Sequence, residues 1–310
     1  MSIPAAVPHT FPVRSLFLSA AIVALLAVPA ACAPNPVWQQ AVDRAARTAP
    51  AARILVLDIP TGRLLATYRL PEAEHTLAAP GSTLKPLVLY QLIAAGRWNP
   101  SRRVACDRNL YVAGHRLACP HPPAPPFDAQ QALAWSCNTY FAQLALTLAP
   151  GSLGAMLRQT GLLGVTGLAP AGAGEAAAEF HEPASAAATQ LALLGVDGVR
   201  VSPLELAVAY RWLANQLAAH PDAQAAQVVR AGLADSAAFG MARPATQFGA
   251  SVAGKTGTAA SAASSQTHGW FVGLVPAVKP QVVVVVCLPS GRGADAAHLA
   301  AVLLAQARVN

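Results

Sequence analysis

Between Gln281 and Leu288 the chain reads QVVVVVCL, an apolar run that does not alternate with polar residues. A half-buried strand alternates; a short run without alternation, bounded by turn residues, has no face to give to water. The segment therefore demands a strand inside a sheet, with packing layers on both sides. Two more strand patterns precede it, Ser251–Thr258 and Gly269–Val275. Two others lie near the opposite end, Arg53–Asp58 (RILVLD) and Leu64–Arg69, joined as a hairpin by the turn Pro60-Thr61-Gly62. Between these groups the patterns are helical. They cover Ser82–Ala95, stopped by Gly96, then Asp128–Trp135, Asn138–Leu148, the start of 151–182, and Ser202 to Ala219. A helical lead spans Asn35–Pro50 and a terminal helix Ala294–Arg308. The economical arrangement is an α/β domain: one antiparallel sheet of N- and C-terminal strands flanked by helices, with a helical lobe inserted between them.

Hydrophobic residues make up 54% of the 310 and charged residues 11%, the opposite of a disordered chain. The 26 prolines have no period, which excludes a collagen-like chain. The net charge of +7 comes from scattered arginines without a dense basic run, so no nucleic-acid partner is expected. The charge suits an anionic neighbourhood such as a lipid surface or a cell wall.

Leu16–Val28 is an apolar run after Arg14, of the length of a signal segment and short for a membrane span. Three readings follow: cleavage at Ala31-Cys32-Ala33, a lipobox in which Cys32 carries lipid, or an uncleaved anchor. In each, residues 1–33 export the chain and 34–310 form the working domain. The expected location is periplasmic or otherwise extracytoplasmic, with membrane attachment through the N-terminus in two of the three.

Only three lysines occur, Lys85, Lys255 and Lys279, against 18 arginines. Lysine can lose its proton in a buried site, whereas arginine does not. Two of the three fall in motifs that suit acyl chemistry. In Pro80-Gly81-Ser82-Thr83-Leu84-Lys85 a serine at a helix start has a lysine three residues on, on the same face. A serine hydroxyl needs a base beside it, and a neutral lysine can serve. In Ser136-Cys137-Asn138 a hydroxyl and an amide sit at a helix junction, where they either line a cleft or cap the helix. In Gly254-Lys255-Thr256-Gly257-Thr258, strand alternation puts Lys255 and Gly257 on one face and Thr256 and Thr258 on the other. The glycines are expected to admit a ligand along the strand edge, and the lysine and threonines to hold a carboxylate. A phosphate-binding turn is the other reading, but no P-loop order ends at Lys255.

The three motifs together, in this order, resemble the penicillin-binding protein transpeptidase family. APGSTLKP is similar to its nucleophile segment, WSCNTYFAQLA to its second motif, and GKTGTA with HGWFVGLVPA to its paired strands at the site. RILVLDIPTGRLLATY resembles its opening hairpin, and LLGVDGVRVSPLELAVAYRWLAN a helix of its middle region. The resemblance runs from Arg53 onward. It implies a serine D,D-transpeptidase or carboxypeptidase acting on peptidoglycan stem peptides ending in D-Ala-D-Ala, with β-lactams as covalent inhibitors. It further implies Ser82 as nucleophile, Lys85 as base and Ser136 as proton relay. Asn138, Lys255, Thr256, Gly257 and Thr258 would bind substrate, and the backbone N–H groups of Ser82 and Thr258 would form the oxyanion hole. No cofactor is required for that chemistry.

The short link from Tyr68 to Pro80 lacks the rim usual before the nucleophile, and there is no room for a glycosyltransferase or a large pedestal. Serine β-lactamases, β-lactam sensors and inactive scaffolds share the motifs. A class A β-lactamase would need Glu-x-x-x-Asn after the second motif, and none of Glu175, Glu179 and Glu182 has an asparagine four residues on. Cys106, Cys119, His121 and Cys137 resemble in spacing a zinc set of some elongation-type family members, with a Cys106–Cys119 disulfide as the alternative. His75, His115 and His268 receive no role.

Overall fold

The computed structural model describes residues 1–2, 34–170, 174–260 and 266–307. The expected export segment falls almost entirely on 3–33, outside the described residues. Among the described residues no helix is long and apolar enough to cross a membrane.

From Pro34 onward the chain forms one unit. It starts with α1 (Pro36–Ala46), the hairpin β1 (Arg53–Asp58) and β2 (Leu64–Tyr68), and α2 (Leu70–His75). A 3-10 turn over Gly81–Leu84 leads into α3 (Lys85–Ala94). The excursion that follows carries the small ladder β3 (Tyr111–Val112) and β4 (His115–Arg116). The lobe continues with α4 (Ala129–Ala134), α5 (Asn138–Ala145) and α6 (Ser152–Gln159). It then carries β5 (Glu179–Phe180), α7 (Ala186–Leu193), β6 (Val199–Arg200), α8 (Pro203–Ala219) and α9 (Gln224–Ala238). The chain closes with β7 (Ala253–Ala260), β8 (Thr267–Val275), β9 (Val282–Leu288) and α10 (Gly293–Gln306).

The main sheet has the order β2-β1-β9-β8-β7, antiparallel throughout. β9 occupies its centre with every residue buried. Val283, Val285 and Cys287 join Leu55 and Leu57 in the core beneath the helical lobe. Val282, Val284 and Val286 face the other way, with Val42 of α1 and Leu299 and Leu303 of α10. The five-valine run is apolar because both faces are covered, and the expected sheet with an inserted lobe is the observed one.

Several boundaries differ from the sequence reading. The segment at Ser82 is not the first turn of an α-helix. Gly81 stands at φ +56°, outside helical space, so a 3-10 turn precedes α3. β7 starts and ends two residues later than expected, and α5 stops at Ala145. α2, α7 and α9 were not anticipated. α9 begins after Ala223 with no side-chain cap, so no start signal marks it. α7 did carry one: Ser185 Oγ accepts from the Ala188 N–H at 3.1 Å.

Candidate active site

The turn at Ser82 is clamped from several sides. The Gly81 N–H donates to the Gly195 carbonyl at 2.9 Å. Trp270 Nε1 donates to the Ala79 carbonyl at 3.0 Å, and the Tyr210 hydroxyl to the Thr83 carbonyl at 2.9 Å. Thr83 Oγ1 closes back on the Pro80 carbonyl at 2.9 Å. Gly195, Tyr210 and Trp270 come from distant segments, and no local pattern marks them in the sequence. Gly81 is required twice over. Its φ is positive, and a Cβ there would stand 2.9 Å from the backbone nitrogen of Thr258. That proximity places Ser82 beside β7. Ser82 is half-buried, and among the described residues its hydroxyl has no hydrogen-bond partner.

Ser136 closes the opposite side. It lies between α4 and α5 at φ +55°, a left-handed conformation that costs a non-glycine residue ~1–3 kcal/mol. The Ser136 N–H bonds to Leu133 and the Cys137 N–H to Ala132, which hold the bend. Its carbonyl and hydroxyl consequently both face Lys85. Lys85 Nζ donates to the Ser136 carbonyl at 2.9 Å, Ser136 Oγ at 3.3 Å and Asn138 Oδ1 at 2.7 Å. Asn138 Nδ2 in turn donates to the carbonyls of Leu117 and Ala118.

β7 is an edge strand, so one side of its backbone is unpaired by the sheet and faces the Ser82 turn. Lys255 points toward the lobe and donates to Ser136 Oγ at 2.8 Å and to the Thr256 carbonyl at 3.1 Å. The sequence-based role of the glycines needs correction. A Cβ on Gly257 would collide with the Pro80 carbonyl and lie 3.0 Å from Thr83 Cγ2, and one on Gly254 would meet the Phe271 ring. Both are small because the protein's own parts pack there, not because a ligand approaches. On the other face Thr256 is buried beside Gly293 and Thr258 is exposed. Thr258 Oγ1 accepts from the Gly293 N–H at 2.9 Å, which leaves its own proton free to donate.

Ser136 Oγ thus sits between two lysine amines that are both fully buried. Burial lowers Lys85 to about 8, opposed by the Cys137 and Cys119 sulfurs. Burial, and then the charge of Lys85, pull Lys255 well below the ordinary lysine value. The two amines share one hydroxyl and titrate as a unit, which holds one proton more readily than two. Two of the three glutamates considered for a lactamase are engaged elsewhere. Glu175 accepts from the Thr166 and Gly167 N–H groups, and Glu179 pairs with Arg200.

Behind Ser136 the four zinc candidates converge. Their ligand atoms all lie within 4.8 Å of one another. Cys106 and Cys119 are free thiols with sulfurs 3.4 Å apart, so the disulfide alternative is not the arrangement present. Cys119 and Cys137 sulfurs are 3.9 Å apart. Tetrahedral zinc with Zn–S of ~2.3 Å sets sulfurs ~3.8 Å apart. His121 Nδ1 is 2.7 Å from the Pro122 carbonyl, which can only accept, so Nδ1 carries the proton. Nε2 is then a bare lone pair, buried and without a partner. The donor set fits zinc, and it is tied to the second motif: the Asn138 N–H donates to Cys119 Sγ at 3.2 Å.

The fold and the family model together place the chain in a class, the serine acyl-enzymes. Within it the chain belongs to the penicillin binding protein transpeptidase domain family, which matches residues 52–307. Solved structures agree in fold. A Burkholderia ambifaria structure described as a peptidoglycan glycosyltransferase superposes with TM-score 0.74 at 21% identity, covering 87% of this chain and 92% of its own. Pseudomonas aeruginosa PBP2, solved in complex with WCK 5153, gives TM-score 0.73 at 21% identity, covering 89% and 74%. The transpeptidase domain of Burkholderia pseudomallei penicillin-binding protein 3 gives 0.73 at 22%, covering 88% and 92%.

Proposed function

We propose that the protein is a D,D-transpeptidase acting on peptidoglycan stem peptides that end in D-Ala-D-Ala, and that β-lactams trap it as a covalent adduct at Ser82. The observation that carries this reading is Ser136 Oγ held 3.3 Å from Lys85 Nζ and 2.8 Å from Lys255 Nζ, beside the Ser82 turn. Neutral Lys85 exchanges one of its hydrogen bonds for Ser82 Oγ and removes its proton. Hydrogen bonds of this kind often tighten only when substrate arrives. Ser82 Oγ bonds to the penultimate D-Ala carbonyl carbon, and the oxyanion faces the N–H groups of Ser82 and Thr258. The proton passes through the Ser136 hydroxyl to the departing amine as the C–N bond breaks. An amine or water then attacks the ester and gives its proton to Lys85, which passes it to Ser82 Oγ as the acyl–oxygen bond breaks, restoring neutral Lys85 and the Ser82 hydroxyl. Extended along the open edge of β7, the peptide is held by Asn138 at its amide and by Thr256 and Thr258 at its carboxylate, with Lys255 keeping the field positive.

Intact-mass measurement after penicillin treatment tests the nucleophile. One adduct should form and be absent in Ser82→Ala; an adduct in that variant overturns the assignment. Supplying a pentapeptide stem with D-methionine as acceptor then separates transfer from trimming. Tetrapeptide alone at every acceptor concentration would reassign the protein as a carboxypeptidase.

The same reading places the protein outside the cytoplasmic membrane, exported by residues 1–33. Zinc held by Cys106, Cys119, His121 and Cys137 would supply a structural tie, a closed tetrahedral set with no open position for chemistry. Elemental analysis of protein recovered from its own compartment should find one zinc per chain; a stoichiometric Cys106–Cys119 disulfide without metal would exclude it.

A further inference from the structure

The third lysine, Lys279, takes no part in the Ser82 site. It is exposed at the rim of a cavity of about 420 Å³, within the ~300–1,000 Å³ usual for small-molecule sites. Ala253 and Leu274, register partners at the start of β7 and near the end of β8, form the floor with Leu233 of α9. Leu217 and Ala218 of α8 and the link between β8 and β9 form the walls. Each wall is anchored. The Ala277 N–H donates to Ser251 Oγ at 3.2 Å, and the Ile59 N–H to the Gln281 carbonyl at 2.8 Å. Arg230 Nη2 donates to the Leu217 carbonyl at 2.7 Å, which fixes α9 to the end of α8.

The lining joins an apolar interior to positive charge without a counter-ion. Among the described residues no Asp or Glu lines the cavity, and neither Arg230 nor Lys279 is in an ion pair. Arg230 spends one donor on α8 and is half-buried, so its other N–H groups are held at the cavity by that bond. The Leu217 carbonyl belongs to the last turn of α8, a negative pole that would repel an anion, and the Arg230 guanidinium covers it. An apolar cavity with two cations suits a molecule with an anionic head and an apolar tail. The shape favours a small molecule over a protein partner. Of the large apolar side chains that line the cavity, only Val278 is exposed. The apolar area therefore lies inside the concavity, whereas a protein-docking surface spreads it over a patch.

We propose that this cavity binds a medium-chain fatty carboxylate, with its head between Arg230 and Lys279 and its chain against Leu217, Leu233, Ala253 and Leu274. The site stands apart from the acyl chemistry and does not depend on it. It nevertheless touches the same strand. Ala253 and Lys255 are two residues apart on β7, so they share a face and lie ~7 Å from each other along it. A ligand on Ala253 rests against the root of the third motif without entering the cleft at Ser82.

Isothermal titration calorimetry of the full chain with decanoate tests the site, with decanol as the neutral probe of the same length. Decanoate should occupy one site with a dissociation constant of ~0.1 mM or tighter. Decanol should bind at least ~10-fold more weakly, because hydrogen bonds to charged groups are the stronger ones. Lys279→Gln should weaken decanoate ~3–10-fold and leave decanol unchanged, and Arg230→Gln should weaken decanoate further. Ala218→Trp fills the cavity and should abolish binding of both probes. Ala218 and Lys279 are exposed, so these two variants leave the core intact even if Arg230→Gln folds poorly. No saturable binding by the wild type up to about 1 mM, equal affinity for decanol, or undiminished binding by Ala218→Trp overturns the site. Penicillin adduct formation is measured on the same samples. Its absence would overturn the reading of Ser82 and leave the decanoate result standing.

Discussion

The wall of the cleft that carries Lys255 and the wall that carries Ser136 are held by different means. Lys255 rides on β7, where one side is hydrogen-bonded to β8 and Gly257, two residues on, is packed against the Pro80 carbonyl. Its position follows from the sheet and from close backbone contact. Ser136 sits on a bend between two short helices, in a left-handed conformation, next to an excursion whose only ladder is two residues long on each strand. Besides the two backbone bonds that hold the bend, that wall abuts the group of Cys106, Cys119, His121 and Cys137, joined to the Asn138 N–H through Cys119 Sγ. A catalytic geometry split in this way has one side determined by packing and the other by a backbone bend and ligand-like side chains. The two should fail differently.

The largest effect should come from the packed side. Gly257→Val puts a branched side chain into the Pro80 carbonyl and displaces the Ser82 turn. A misplacement near 1 Å can cost ~10²-fold, so penicillin acylation should fall by about that factor while circular dichroism stays native. A rate within threefold of wild type would show that the sheet wall yields, and the comparison would collapse. On the other wall, Cys119→Ser removes the sulfur that the Asn138 N–H and its three neighbours address. Acylation should drop roughly 10–100-fold, as for outer-shell losses around metals, together with the melting temperature and the zinc proposed for this group. Loss of zinc with unchanged acylation would mean that the Ser136 bend holds itself. The smallest effect separates charge from position. Lys85 loses its proton as pH rises through about 8, so the fraction able to act as base grows with pH. Acylation measured between pH 6 and 9 should climb toward a plateau with a midpoint near 8. A flat profile would remove Lys85 as the titrating base.

The sheet was legible in the residues because a strand buried on both faces has a composition nothing else requires. Two of the three motifs were legible because lysine is so rare here that Lys85 and Lys255 stand out, and Ser136-Cys137-Asn138 only through its order between them. α9 was not legible, since an alanine- and valine-rich helix without a cap has neither a start signal nor a clear polar face. The glycines of the third motif were read as room for a ligand because sequence shows only that a side chain is missing, not what fills the space.

The sequence by itself determined the class of fold, the order of the three motifs and the chemical types available at each, because these follow from periodicity and functional groups read along the chain. Only the tertiary structure decided that Ser136 Oγ lies between two buried amines, that Gly81 and Gly257 press the Ser82 turn onto β7, and that His121 Nε2 faces three sulfurs. Those relations join residues far apart in sequence across distances of a few ångströms. Burial, hydrogen-bond geometry and the coupling of charges arise only when the chain has closed around them.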